Sequence, residues 1–102
     1  MEYFTTDVDG VTLVNPDPAQ RRAVLESLEE GMDADHPEVF LNLRSGVILG
    51  YRSGGVMAWE EEGEVIRYLN NVDPAQAEKI WDWLLQGRQS TLDKLDWQDI
   101  TD

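Results

Sequence analysis

Residues 39–69 read VFLNLRSGVILGYRSGGVMAWEEEGEVIRYL, and the spacing of their apolar positions decides the fold. Val39, Leu41 and Leu43 alternate with other residues, then Val47, Leu49 and Tyr51, then Met57 and Trp59 against Val56 and Ala58, then Ile66 and Tyr68 against Val65 and Leu69. A period of two marks a half-buried strand, because successive side chains leave opposite faces of the pleated backbone. Four strands are therefore expected. Ser45-Gly46, Ser53-Gly54-Gly55 and Glu61-Glu62-Gly63 separate them, each short and each supplying the Gly that a tight turn requires. Connections this brief join antiparallel neighbours, so the segment reads as a meander. The alternation is imperfect at Phe40, Ile48 and Trp59, which implies that part of the second sheet face is also covered or used.

On either side of the meander the period changes. Asn15-Pro16-Asp17-Pro18-Ala19-Gln20 and Asn71-Val72-Asp73-Pro74-Ala75-Gln76 share the ending Asp-Pro-Ala-Gln, and each precedes a helical pattern. Asp at the N-cap accepts from otherwise unpaired amides, Pro gives up an N–H that had no partner, and Gln closes a capping box. Ala23, Val24, Leu25 and Leu28 then predict a helix from Pro18 to Glu30, stopped by Gly31. Ala77, Ile80, Trp81, Leu84 and Leu85 predict a second from Pro74 to Gln86, stopped by Gly87, with Val72 as a hydrophobic staple. Tyr3–Thr6 and Val11–Val14 predict an N-terminal hairpin about Asp9-Gly10. Leu92, Leu95 and Trp97 suit one more helical turn or a packed tail. The order ββαββββα is that of an α+β domain: an antiparallel β-meander with an N-terminal hairpin and helices mainly on one face of the sheet.

Composition bounds the function. A chain of 102 residues with 41% hydrophobic content supports one core, so residues 1–102 are read as a single domain. No Cys is present, which excludes disulfides, thiolate metal sites and a cysteine nucleophile. The first residues lack the basic and apolar regions of a signal peptide, and no apolar run approaches the ~18 residues of a membrane span, so a cytoplasmic protein is expected. With 21 Asp+Glu against 8 Lys+Arg the formal net charge is −13, which repels phosphate backbones and anionic lipid and favours a basic partner.

Parts for an active site are few. His36, in Asp33-Ala34-Asp35-His36-Pro37, is the sole imidazole, and no nucleophile is placed near it by the sequence; it is read as an exposed loop residue. Asp7-Val8-Asp9-Gly10 lacks the twelve-residue calcium pattern and suits a turn. Arg52-Ser53-Gly54-Gly55 joins two strands and does not open a helix, so it is no phosphate loop. With so many acids, pairs of carboxylates carry no signal of their own. No catalytic residue, metal site or cofactor is assigned.

The aromatic and acidic surface is more informative. Trp59 is followed by Glu60, Glu61, Glu62, Gly63 and Glu64, a large ring beside four carboxylates at a hairpin tip. These residues suit a solvated turn with gatekeeping charges, or else a negative recognition edge with an aromatic anchor. On the second helix Trp83 lies at the edge of the apolar stripe beside Asp82. It either caps the core under the C-terminal segment, with Trp97 as companion, or forms a contact patch with Asp82.

In size, charge and layout the chain resembles the small acidic immunity proteins of bacterial polymorphic-toxin, contact-dependent and type VI secretion systems. The residues that carry the resemblance are the helix after Asp17-Pro18-Ala19-Gln20, the Gly-punctuated meander, Asp73-Pro74-Ala75-Gln76 leading into Ile80-Trp81-Asp82-Trp83-Leu84-Leu85-Gln86-Gly87, and Leu92-Asp93-Lys94-Leu95-Asp96-Trp97. The resemblance implies a cytosolic, non-catalytic protein that occludes the active site of one cognate toxin domain; it brings no binding residue with it. The expected contact face is Tyr51, Trp59, Glu60, Glu61, Glu62 and Glu64, helped by Asp82 and Trp83, on a monomer or weak homodimer facing a basic protein rather than nucleic acid or membrane. The alternatives are a DNA mimic that occupies a DNA-binding protein and a small carboxylate-based acid–base enzyme.

Overall fold

In the computed structural model, which describes residues 3–30, 38–52 and 54–99, with the side chains of Glu29 and Glu30 excepted, the meander is the centre of a larger sheet. Strands β1 (Tyr3–Thr6), β2 (Thr12–Val14), β3 (Glu38–Leu43), β4 (Val47–Arg52), β5 (Val56–Glu61), β6 (Glu64–Leu69) and β7 (Gln98–Asp99) lie in the order β2-β1-β3-β4-β5-β6-β7. Every neighbouring pair is antiparallel. The helices are α1 (Pro18–Glu30), α2 (Pro74–Leu85) and the short α3 (Gln89–Asp93). This is the α+β architecture expected, extended by α3 and β7: the C-terminal segment supplies both a helical turn and an edge strand. Gly31, and His36 with its neighbouring acids, lie outside the described residues.

Turn chemistry sets the register. Glu62 and Gly63 both have positive φ, 55° and 83°, the conformation that lets a two-residue turn follow the twist of its strands. At the first hairpin a carboxylate oxygen of Asp7 accepts from the amides of Asp9 and Val11, so the aspartate builds a turn as expected. Both capping boxes form: Asp17 with Gln20, and Asp73 with Gln76, each exchange two bonds of 2.8–3.1 Å. Gly87 ends α2, with its amide on the Leu84 carbonyl and that of Arg88 on the Trp83 carbonyl.

The shared sequence around the caps has a wider structural meaning. Asn15 and Asn71 both adopt left-handed φ, 48° and 58°, and turn the chain into its helix. In each case a tyrosine hydroxyl from the sheet donates to the carbonyl just before the N-cap, Tyr3 to Pro16 and Tyr51 to Val72. The two helices are thus docked onto the sheet by the same device.

One face of the sheet carries the core. Val39, Leu41, Leu49, Tyr51, Met57, Trp59 and Leu69 are buried against Val24, Leu25 and Leu28 of α1, Ala77, Ile80, Trp81 and Leu84 of α2, and Leu92 of α3. All three helices contribute to this single cluster, in agreement with the expected one-sided layering.

One strand departs from the expected alternation. Trp59 pairs with Arg67 whereas Glu60 pairs with Val65, so Ile66 is an extra residue, a bulge. The slip moves Tyr68 opposite Ala58, on the face away from the helices, and places Arg67 and Leu69 on the core side. Ile66, read from the sequence as sharing a face with Tyr68, is 40% exposed beside the turn.

Candidate functional site

The expected contact residues fall into three separate environments. Tyr51 and Trp59 are each 4% exposed and belong to the core. The Tyr51 ring fills the sheet–helix interface and its hydroxyl donates to the Val72 carbonyl at 2.7 Å. Trp59 stands edge-on to Trp97, 5.7 Å between centroids and 85° between planes. The guanidinium of Arg67 lies 4.3 Å from the Trp59 ring centre and 4.7 Å from that of Trp97, and is also 3.4 Å from Asp93. These contacts, with Trp97 Nε1 donating to the Leu92 carbonyl at 2.8 Å, clamp the C-terminal segment over the edge of the core. The aromatic anchor expected at the hairpin tip is therefore a core residue, because position 59 falls in phase with Leu49 and Met57. Trp97 is the companion of Trp59 rather than of Trp83.

Asp82 and Trp83 lie in the helical layer. Asp82 receives Arg21 of α1 at 2.9 Å, and the same guanidinium donates to the Tyr3 hydroxyl and the Pro16 carbonyl. Arg21 thus ties α1, α2 and the N-terminal hairpin together, which gives Asp82 a structural task. Trp83 is half-buried and borders a cleft of ≈220 Å³ with Leu69, Val72, Ile80 and Leu95. Glu60 lies on the sheet face away from the helices, so a single face containing all eight does not form.

Glu60 and the turn acids occupy the third environment. Glu61, Glu62 and Glu64 are exposed at the β5–β6 turn. Glu60, one residue out of phase with Trp59, is on the sheet face that carries no helix. That face holds Phe4, Phe40, Ile48, Val56, Ala58, Val65 and Tyr68.

Cross-strand register organises this open face into rows. Phe40, Gly50, Ala58 and Tyr68 are mutually opposed across β3–β6, so two aromatic residues flank two small ones. At ~4.8 Å per strand their backbones are ~14 Å apart. The floor is low because Gly50 has no side chain: a Cβ there would meet Oε1 of Glu38 at 2.6 Å and the Phe40 ring at 3.2 Å, so both side chains lean over the glycine. Beside them a shallow hollow of ≈320 Å³ is lined by Arg52, Val56, Ala58, Val65, Tyr68 and Asn70.

Charge is concentrated at this trough. Glu38 and Arg52 are cross-strand partners joined by an ion pair of 3.2 Å. Glu60, paired to Ile48 on one side and Val65 on the other, stands at the end nearest the β5–β6 turn. Its Oε2 is shut off from solvent and meets no hydrogen-bond donor. Burial pushes the Glu60 carboxyl above the usual carboxylate range, the charge of Glu38 adds to the rise, and Arg52 opposes it. Two carboxylates against one guanidinium leave the trough with a net negative charge on an apolar surface.

Among the described residues no group of three or more His, Asp or Glu side chains is placed to hold a metal ion, and no helix is long and apolar enough to cross a membrane. Comparison with protein-family models, with curated proteins and with solved structures finds no match to this chain.

Proposed function

We propose that this chain is a non-catalytic inhibitor that binds a basic protein and covers its working surface, in the manner of the immunity proteins that it resembles. The observation that carries the reading is the open sheet face: apolar side chains with embedded carboxylates, continuous along β5 with the exposed acids of the β5–β6 turn. Apolar area supplies affinity and the turn acids steer the encounter. The revised contact set is Phe40, Ile48, Tyr68 and Glu60 with Glu61, Glu62 and Glu64; Tyr51 and Trp59 act from beneath by holding the sheet in shape. A net charge of −13 directs this surface to a cationic cleft such as a nuclease needs for phosphates.

The test is capture from a bacterial lysate at low and moderate salt, comparing the natural chain with Glu61→Lys/Glu62→Lys/Glu64→Lys. One basic protein, held at both salts by the natural chain and associating more slowly with the variant, is the expected result. Several nucleic-acid-binding proteins lost together as salt rises would favour DNA mimicry instead, and an association rate unaffected by the reversal would remove the turn from the interface.

A further inference from the structure

We infer that the cleft between α2 and the segment joining α3 to β7 binds a free apolar amino acid such as leucine. Its side chain packs on Leu69, Val72 and Ile80, its carboxylate meets Lys79 and its ammonium meets Asp96. The site lies in the helical layer, apart from the open sheet face, and goes beyond the inhibitor reading without resting on it.

The cavity sets the size and polarity of the ligand's body. It holds ≈220 Å³ over a buried floor of Leu69, Val72 and Ile80, with Trp83 and Leu95 also lining it. An apolar cavity of ~150 Å³ accepts benzene, so this one takes a branched alkyl or phenyl group. The indole N–H of Trp83 makes no hydrogen bond among the described residues, which leaves a donor at the cleft for a ligand oxygen.

Charge sets the head group. Lys79 of α2 and Asp96 of the segment between α3 and β7 line the same cleft, and both are exposed. Among the described residues neither side chain forms an ion pair or hydrogen bond, with the other or with a neighbour. Lys79 differs in this from Arg21, Arg22, Arg52 and Arg67, each of which is held by a carboxylate. Two opposite charges that share a cleft without neutralising each other fit a ligand that carries both signs. A net charge of −13 repels an apolar anion and draws an amine to any of 21 acids, so neither is selected by this cleft. A free amino acid has no net charge, and both of its groups are ionised near neutral pH. A residue inside a protein chain has given up both charges to peptide bonds.

The experiment is an NMR titration of the isotope-labelled chain at neutral pH and fixed ionic strength. The probes are L-leucine, glycine, 3-methylbutylamine, 4-methylpentanoate and N-acetyl-L-leucine amide. Leucine should move the Trp83 indole signal and the amides of Val72, Ile80 and Leu95, with the amine and the acid each bound about threefold more weakly. Lys79→Gln should reduce leucine to the level of the amine and Asp96→Asn to that of the acid, while Lys94→Gln leaves its affinity unchanged. Both positions are exposed, so the substitutions leave the fold intact. Leucine should also raise the melting temperature of the natural chain, because it binds the native state alone. Binding of glycine as tight as that of leucine, or an affinity indifferent to both substitutions, would overturn the inference. Equal binding of N-acetyl-L-leucine amide would overturn it in favour of a partner protein's side chain as the occupant. An unmoved Trp83 indole signal at about 20 mM leucine would overturn it outright.

Discussion

The two faces of the central strands are built from the same alternation and meet different fates. On one, Val39, Leu41, Leu49 and Met57 are 0% exposed because α1, α2 and α3 close over them. On the other, Phe4 remains 40% exposed and Val14 70%, and Phe40, Ile48 and Tyr68 are only half-covered by their neighbours. The first face is completed by the chain itself. The second mixes apolar side chains with Glu38, Arg52 and Glu60, which a core tolerates poorly unless they are paired and which a binding surface uses for selectivity. Apolar content alone therefore does not identify a core; whether the carboxylates on that face have partners is the more telling mark.

Substitutions on the two faces should separate sharply. Trp59→Ala is expected to cost the most, ~3–5 kcal/mol, by opening a cavity and releasing Arg67 and Trp97 together; denaturant unfolding measures it, and a loss under ~1 kcal/mol would mean that the ring is not core. Tyr51→Phe is expected to cost ~1–3 kcal/mol by leaving the buried Val72 carbonyl without its donor. Faster amide exchange in the first turn of α2 should accompany that loss. On the open face Phe40→Ser is expected to cost ~1 kcal/mol or less in the free protein. If it unfolded the chain as readily as Trp59→Ala, the distinction between the faces would fail.

The smallest effect is a gain. Glu60→Gln should stabilise the free chain by ~0.5 kcal/mol near neutral pH, a figure reduced for solvent screening. Because the folded carboxyl titrates above its unfolded value, the native state binds more protons than the unfolded state between those two values. Stability of the natural chain thus falls as pH rises through that window and levels off above it. Melting curves from acid to neutral pH should show this component in the natural chain and lack it in Glu60→Gln.

Much of the covered face was legible in the sequence, and the open one was not, for a physical reason. Helix starts at Asp17 and Asp73, the stop at Gly87 and the core positions follow from local chemistry: caps, turn glycines and period. The open face depends on which residue sits opposite which across four strands, and one bulge at Ile66 resets that register for β6. Without the bulge, the two-residue turn would place Ile66 opposite Trp59 and Tyr68 opposite Met57, on the core side, which is the pattern that simple alternation suggests. The trough therefore exists only once the bulge is known. Trp59 is ambiguous in sequence for a related reason: its acidic neighbours suggest the surface, whereas its phase with Met57 puts it on the core face. Asp82 gave no local hint of Arg21, which is 61 residues away.

The decisive measurement is hydroxyl-radical footprinting of the chain, free and in the complex that the proposed inhibitor role requires. Phe40 and Tyr68 should lose reactivity on binding while Trp83, in the helical layer, keeps its own. Protection of Trp83 with Phe40 and Tyr68 unchanged would place the interface on the helices and contradict the account.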